Sequence, residues 1–185
     1  VSGTLGDARL ALEVFRGKLS VPQAVFDAAR ARMEQPTPRV ALGQALRGVA
    51  SSAIDLSDGL LGDLGHVLRA SGVGARIDTA VAIDLIAAYA EPVRAAAGFD
   101  AEAALEFVLA GGDDYELAFT APVSARTAVQ VAARATQTPV TRIGAIDFLE
   151  KPISLPKLVA TVGKALAGGR VLPKPGLSFA HLGRA

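Results

Sequence analysis

The stretch from Ala53 to Leu64, A-I-D-L-S-D-G-L-L-G-D-L, constrains the fold of this chain more than any other part of its sequence. A short apolar run changes here into a helical pattern, with Asp55, Ser57 and Asp58 at the change and Gly59 directly after them. A strand that opens onto a helix N-terminus leaves backbone N–H groups unpaired, and the helix dipole there favours anions. The stretch therefore predicts a strand–turn–helix unit with polar side chains at the turn.

Two interpretations of this turn are open. As a functional site, Asp55 and Asp58 would hold a divalent metal ion and the Ser57 hydroxyl would contact a phosphate. Magnesium prefers carboxylate oxygens and usually takes only one or two of them from a protein, so the pair is sufficient in principle. As a purely structural feature, Ser57 or Asp58 would cap the following helix, which contributes about 1 kcal/mol. The spacing alone slightly favours the structural interpretation.

A second polar turn, G-G-D-D-Y-E-L, runs from Gly111 to Leu117. Its two glycines permit a tight turn and the close approach of a ligand, and a carboxylate at the turn would then hydrogen-bond a substrate amine or hydroxyl. The structural alternative is a turn whose aspartates accept hydrogen bonds from free N–H groups. The residues that follow alternate between two faces, which predicts a half-buried strand. One face carries Tyr115, Leu117 and Phe119, and the other carries Asp114, Glu116 and Ala118.

Hydrophobic periodicity predicts helices interspersed with short strands along the chain. Such an order predicts an α+β or α/β fold in which helices pack on a sheet. The strand at 53–56 is short and apolar, which is typical of a buried strand. The predicted helices are 8–18, 21–33, 42–49, 60–71, 84–97, 101–109 and 124–136, and the predicted strands are 53–56, 74–78, 114–120 and 140–146.

The composition excludes several classes of protein. The chain has 185 residues, of which 51% are hydrophobic and 5% aromatic, so Ala, Val and Leu must build most of the core. The net charge is +1 with both signs interspersed, which argues against a nucleic-acid or membrane partner. No cysteine is present, which excludes disulfides and cysteine nucleophiles. Without a membrane span or a signal-peptide pattern, we expect a piece of a longer, soluble, cytoplasmic protein.

Taken in order, the motifs of this chain resemble the C-terminal half of thiamine-monophosphate kinase. They are S-G-T-L-G-D, P-T-P-R-V, A-I-D-L-S-D-G-L, S-G-V-G-A-R-I-D and G-G-D-D-Y-E-L-A-F-T, and the resemblance covers about residues 1–146. The family is one of the aminoimidazole ribonucleotide synthetase-like superfamily. The resemblance implies an α+β fold with a mixed β-sheet packed by helices, as in the C-terminal domain of that superfamily.

The resemblance also implies an activity, the ATP-dependent phosphorylation of thiamine phosphate to thiamine diphosphate with Mg²⁺. By motif position, Asp55 and Asp58 would be magnesium ligands and Ser57 would contact ATP. Asp113 stands where the family commonly has a glutamate that contacts the substrate. Phe179, within S-F-A-H near the C-terminus, loosely matches a family aromatic that would pack on the substrate. No residue is assigned a catalytic role.

The family has an N-terminal domain with additional metal-binding aspartates and much of the nucleotide site. No counterpart of that domain stands in this sequence, so we expect the chain alone to lack kinase activity. A homodimer is left open by the sequence.

Residues 147–185 do not resemble the kinase family. The segment 147–166, D-F-L-E-K-P-I-S-L-P-K-L-V-A-T-V-G-K-A-L, resembles the last strand–loop–helix of a response-regulator receiver domain. Its pattern predicts a loop and then an amphipathic helix. We therefore expect a kinase-like domain over 1–146 and an atypical tail over 147–185. The apolar stripe of the predicted helix consists of Leu155, Leu158, Val159 and Val162.

Two rival functions remain. One is another ATP-using enzyme of the same superfamily, against which the motif around Tyr115 argues. The other is a non-catalytic scaffold or regulatory module in which the tail docks a partner.

Overall fold

A computed structural model of the chain describes residues 1–86, 101–147 and 158–161. Helices predominate in these ranges and the strands between them are short. The helices are α1 (Asp7–Phe15), α2 (Gln23–Glu34), α3 (Val40–Ala45), α4 (Leu60–Ser71), α5 (Thr79–Ala82), α6 (Ala101–Ala110) and α7 (Arg126–Ala135), with 3₁₀ turns at Ile83–Leu85 and Val123–Ala125.

The strands form two small sheets. The strands are β1 (Ser52–Leu56), β2 (Gly74–Asp78), β3 (Glu116–Thr120), β4 (Gly144–Asp147) and β5 (Leu158–Thr161). In the first sheet β1 pairs with β3 in antiparallel register, and in the second the order is β4-β2-β5. β2 is antiparallel to β4 and parallel to β5, so the second sheet is mixed. The predicted α+β class is confirmed at this level, with the strands in two small sheets.

The helix α4 follows the predicted boundaries. Leu60 and Leu68 lie on its buried face, as apolar residues at helical spacing should. The helix ends at Gly72, whose φ of 65° is the left-handed conformation that glycine adopts without strain. Among the other helices, α1, α2, α6 and α7 lie within the predicted segments to within a few residues.

The strand β1 is not buried as predicted. Leu56 is fully buried, but Ala53 and Asp55 are exposed on the opposite face. An antiparallel pair of strands can leave one face open to solvent, and side chains alternate between the two faces. The exposed face of β1 therefore carries Asp55 outward.

The tail also differs from its prediction, because Leu158–Thr161 is a strand and not part of a helix. Its register pairs Ala75 with Leu158 and Asp78 with Thr161. The edge of β2 offers unpaired backbone N–H and C=O groups, and Val and Thr suit a strand. A tertiary partner thus decides the structure of a segment whose apolar spacing also fits a helix.

One further predicted strand differs from the structure, and two other predictions lie partly or wholly outside the described residues. The predicted strand at 140–146 is observed as an isolated bridge between Val140 and Ser2 followed by β4. The predicted helix at 84–97 has only its beginning among the described residues, as a 3₁₀ turn at Ile83–Leu85. Phe179 lies outside the described residues.

The main core lies between the helices and the inner faces of β1, β2 and β3. It joins side chains from α1, α2, α4 and α6, including the fully buried Leu10, Leu60 and Val108. A smaller cluster beneath α3 and α7 contains Leu42 and the partly buried Phe119. The two motifs of interest therefore extend from a packed core at the ends of β1 and β3.

Candidate active site

The structure brings the two polar motifs together at one end of the β1–β3 pair. The Asp113 N–H donates a hydrogen bond of 2.9 Å to the Ser57 carbonyl oxygen, and the Tyr115 N–H donates one of 2.8 Å to the Leu56 carbonyl oxygen. The strand register explains this contact, since Leu56 lies opposite Glu116. Turns separated by more than fifty residues in sequence thus form one continuous backbone surface.

A buried carboxylate on α4 accepts hydrogen bonds from the turn after β1. Asp63 on α4 is buried, and its Oδ2 accepts hydrogen bonds of 3.0 Å from the N–H groups of both Ser57 and Asp58. The N-cap of α4 is Gly59, and no side chain caps it. The structural interpretation, in which Ser57 or Asp58 caps the helix, is therefore wrong. The Asp63 carboxylate, in the first turn of α4, instead accepts the N–H groups of the preceding turn, and the side chains of Ser57 and Asp58 remain available.

Two glycines allow the motifs to approach closely. A Cβ atom at Gly112 would lie 2.7 Å from the Ser57 carbonyl oxygen, which no side chain tolerates. Gly59 has φ 107°, and a Cβ atom there would lie 3.0 Å from the Gly111 carbonyl oxygen. Only glycine fits at these positions without displacing the opposite backbone. The close approach of the two backbones thus explains why glycine occupies these positions in both motifs.

The predicted metal ligands are accessible. Asp55 and Asp58 are exposed and Ser57 is half-buried. No hydrogen bond or ion pair engages either carboxylate within residues 1–86 and 101–147, and the same residues contain no group of three or more acidic, His or Cys side chains that could enclose a metal ion. Two hard carboxylate oxygen donors beside a helix N-terminus nevertheless suit Mg²⁺, which completes its shell with water and phosphate oxygens.

Asp113 is exposed and its backbone is in an unusual conformation. Its φ is 64° and that of Tyr115 is 50°, both in the left-handed region that disfavours non-glycine residues. The Tyr115 hydroxyl donates a long hydrogen bond of 3.4 Å to Asp113 Oδ1. The Tyr115 side chain is 44% exposed. Both side chains thus project from the same loop into solvent beside Ser57.

The structure reveals a buried charge cluster that the sequence reading did not predict. Glu116 is fully buried, and its carboxylate accepts hydrogen bonds from Arg32, Arg39 and the Ser2 hydroxyl. Arg39 binds in a bidentate manner, with Nε donating to Oε2 and Nη2 to Oε1, both at 2.7 Å. The hydrogen bonds to Glu116 raise the pKa of Arg39 above its ordinary value. A signal for this cluster existed in the alternation, which places Glu116 on the face opposite Tyr115.

Asp114 lies beside this cluster and is 4% exposed. Its Oδ1 accepts a hydrogen bond of 2.9 Å from the Gly6 N–H at the start of α1, so the structural interpretation of this turn is confirmed for Asp114. Its Oδ2 is buried and has no hydrogen-bond partner among the described residues. Burial raises the pKa of the Asp114 carboxyl to about 8, against the lowering effect of the Gly6 hydrogen bond.

Comparison with known proteins supports the resemblance seen in the motifs. No family model matches the chain. A thiamine-monophosphate kinase of Escherichia coli strain K12 is 44% identical over 147 residues, which are 78% of this chain and 42% of that relative. The chain thus spans less than half the length of the curated relatives it matches.

Solved structures agree with the sequence comparison. Thiamine-monophosphate kinase from Stenotrophomonas maltophilia K279a is 41% identical with a TM-score of 0.68, over 81% of this chain and 47% of that one. AaThiL in complex with AMPPCP and TMP is 28% identical with a TM-score of 0.62, over 80% of this chain and 44% of that one. The predicted resemblance to thiamine-monophosphate kinase is therefore confirmed in sequence and in fold. Among the described residues, no helix is both long and apolar enough to cross a membrane.

Proposed function

We propose that this chain is the C-terminal part of a thiamine-monophosphate kinase, which uses ATP to phosphorylate thiamine phosphate to thiamine diphosphate. The observation that carries this proposal is the hydrogen bond from the Asp113 N–H to the Ser57 carbonyl oxygen, which joins a nucleotide-side motif to a substrate-side motif. The complex of AaThiL with AMPPCP and TMP supports the same pairing of ligands. The fold would be that of the C-terminal domain of the aminoimidazole ribonucleotide synthetase superfamily.

In this proposal the side chains of the two motifs that are accessible to solvent bind the metal ion, the nucleotide and the substrate. Asp55 and Asp58 would hold Mg²⁺, which when bound neutralises the charge on the phosphates of ATP. Ser57 would donate a hydrogen bond to the nucleotide at the N-terminus of α4, where the helix dipole favours phosphate. Asp113 would bind thiamine phosphate, with a shorter reach than glutamate. Phosphoryl transfer needs little covalent work from a protein, so orientation and charge neutralisation by these residues are the main contribution.

The domain division remains part of the proposal. We assign residues 1–146 to the kinase-like part and residues 147–185 to an atypical tail, although β5 of the tail pairs with β2 of the same sheet. The chain spans under half of its relatives, so the remaining part of the site would come from the N-terminal half of the kinase. The chain alone is then inactive, and a homodimer would require separate measurement.

The test is to restore activity by supplying the missing half. This chain is mixed with, or fused to, the part of the Stenotrophomonas maltophilia enzyme that it does not match, and thiamine diphosphate formation is measured. We expect Mg²⁺-dependent turnover that falls about a hundredfold or more in Asp58→Asn, because a metal ligand is lost. Asp27→Asn, at an exposed position on α2, serves as the control and should retain full activity.

Three outcomes would contradict the proposal. Turnover that is independent of Asp58 would remove the metal role of this motif. Turnover of thiamine phosphate by the chain alone would refute the expected need for a second half. Failure of every complementation, with both parts folded, would favour the non-catalytic module.

A further inference from the structure

The loop from Gly111 to Tyr115 depends on its surroundings for its shape. Asp113 and Tyr115 both adopt positive φ angles, of 64° and 50°. Non-glycine residues hold this conformation only where nearby contacts impose it. The direction in which the Asp113 side chain projects is therefore set by whatever anchors the loop.

Backbone contacts anchor the two residues on either side of Asp114. The Asp113 N–H donates to the Ser57 carbonyl oxygen, and the Tyr115 N–H donates to the Leu56 carbonyl oxygen. Both contacts tie the loop to the end of β1. The Asp114 side chain makes a separate contact, with the start of α1.

The Asp114 side chain ties the loop to α1. Its Oδ1 accepts a hydrogen bond of 2.9 Å from the Gly6 N–H. Gly6 is itself closely packed, since a Cβ atom there would lie 2.9 Å from the Phe107 carbonyl carbon at the end of α6. The loop is thereby tied to the place where the start of α1 packs closely against α6. The Arg32 guanidinium contributes a weaker contact of 3.5 Å to the Asp114 carbonyl oxygen.

The charges around Asp114 favour its neutral form. Burial raises the pKa of this carboxyl to about 8, and the nearby carboxylates of Asp7 on α1 and Glu116 on β3 act in the same direction. The hydrogen bond from Gly6 and the positive charge of Arg32 on α2 oppose them. The unpartnered, buried Oδ2 agrees with a carboxyl that carries no charge, because an ionised oxygen there would lack a compensating donor.

We propose that Asp114 is a positioning residue, whose hydrogen bond to Gly6 holds the loop in the conformation that presents Asp113 to thiamine phosphate. The inference rests on the proposed function, because it assumes that Asp113 binds the substrate. Asp114 touches no substrate atom in this proposal. It acts through the backbone of the loop.

Two variants separate the hydrogen bond from the charge. Asp114→Asn keeps an accepting oxygen and is neutral at every pH, whereas Asp114→Leu has a similar volume and no acceptor. In the reconstituted kinase at pH 7, we expect Asp114→Leu to raise the KM for thiamine phosphate about tenfold, with kcat and the KM for ATP little changed. Asp114→Asn should keep the wild-type KM to within about twofold.

The pH profile gives a readout that a merely structural residue would not move. In the wild type, the KM for thiamine phosphate should rise as the pH passes through about 8, because an ionised Asp114 is no longer stable in its buried position. The KM of Asp114→Asn should not show this rise. In NMR spectra of the 185-residue chain, the amide signals of Asp113 and Tyr115 should titrate over the same range in the wild type and not in the Asn variant.

The outcomes are distinguishable. An unchanged KM in a folded Asp114→Leu variant, or the same increase in both variants, would overturn the proposal. If Asp114→Leu does not fold, parallel pH profiles for the wild type and Asp114→Asn would overturn it. If the reconstituted wild type does not phosphorylate thiamine phosphate, the proposed function fails, and the NMR titration alone then decides whether Asp114 controls the loop.

Discussion

At the scale of single residues, the acidic side chains of the second motif fall into two groups with different environments. Asp113 is exposed beside Ser57, whereas Asp114 and Glu116 are buried on the core side of the loop and of β3. Glu116 tolerates complete burial because Arg32 and Arg39 surround it with opposite charge and hydrogen-bond donors. Neighbouring positions of one sequence motif thus face either the solvent or the packed interior.

The buried ion pairs of Glu116 should contribute strongly to the stability of the chain. The variant Glu116→Gln removes the negative charge that pairs with the guanidinium groups of Arg32 and Arg39, while keeping nearly the same side-chain volume. We expect the free energy of unfolding to fall by about 3 kcal/mol, since breaking a buried ion pair leaves uncompensated charge. Urea unfolding of the 185-residue chain, followed by circular dichroism, measures the difference.

A matched control is available on α2. Glu34→Gln removes an exposed i,i+4 ion pair with Arg30, whose N–O distance is 2.7 Å. Exposed pairs of this kind contribute only about 0.5 kcal/mol. Equal losses of stability in Glu116→Gln and Glu34→Gln would show that the buried ion pairs of Glu116 stabilise the fold no more than an exposed pair does.

At the scale of elements, the unit β1–turn–α4 is stabilised from within. The buried carboxylate of Asp63 accepts the N–H groups of Ser57 and Asp58, so the helix supplies the acceptor that organises the turn before it. The side chains of Asp58 and Ser57 are therefore not required for capping. This arrangement leaves the turn both rigid and chemically available.

Asp63→Ala tests this arrangement. The change leaves two N–H groups without their acceptor, so we expect a loss of about 2 kcal/mol in unfolding free energy. Amide hydrogen exchange at Ser57 and Asp58 should accelerate with it. Asp78→Ala is the control, because Asp78 accepts from two N–H groups at the exposed start of α5. It should cost about 1 kcal/mol without changing exchange at Ser57 and Asp58; similar exchange in both variants would contradict the role of Asp63.

At the scale of the whole molecule, the site depends on the pairing of β1 with β3. The residues of the two motifs are distant in sequence, and their adjacency follows from an antiparallel register in which Leu56 lies opposite Glu116. Asp114 lies in the loop between α6 and β3, and its hydrogen bond with the Gly6 N–H connects this loop to α1.

The stability of the chain should therefore depend on pH through Asp114. Its pKa is raised from 3.8 to about 8 on folding, so between these values the folded state binds more protons than the unfolded state. The stabilisation from this group is complete below about pH 4 and is lost as the pH rises to about 8, with a slope of at most about 1.4 kcal/mol per pH unit. Unfolding free energies measured across this pH range test whether the stability falls as the pH rises.

The comparison with Asp114→Asn isolates this group from other titrations. The difference in stability between the variant and the wild type should grow in favour of the variant as the pH rises from about 4 to about 8, and then level off. A difference that is constant across this range would show that Asp114 titrates at its ordinary pKa in the folded chain.

Much of the local structure follows from the sequence alone. The apolar spacing of Leu60 and Leu68 and the terminal Gly72 define α4, because both signals act within a few residues of chain. The order of the motifs is also sufficient to indicate the resemblance to thiamine-monophosphate kinase, which the comparisons confirm. Strand β2 is observed at Gly74–Asp78, within the bounds that periodicity predicts.

The tertiary structure decided what depends on distant partners. It placed Asp113 beside Ser57, chose the buried face of β3 and made Leu158–Thr161 a strand on β2. Periodicity describes which side chains share a face, but the face that is buried depends on what packs against it. The sequence therefore determined most helices, strand β2 and the two motifs around Asp58 and Asp113, because these signals are local. Long-range packing brought the two motifs together and decided the segments, such as Leu158–Thr161, whose pattern fits more than one structure.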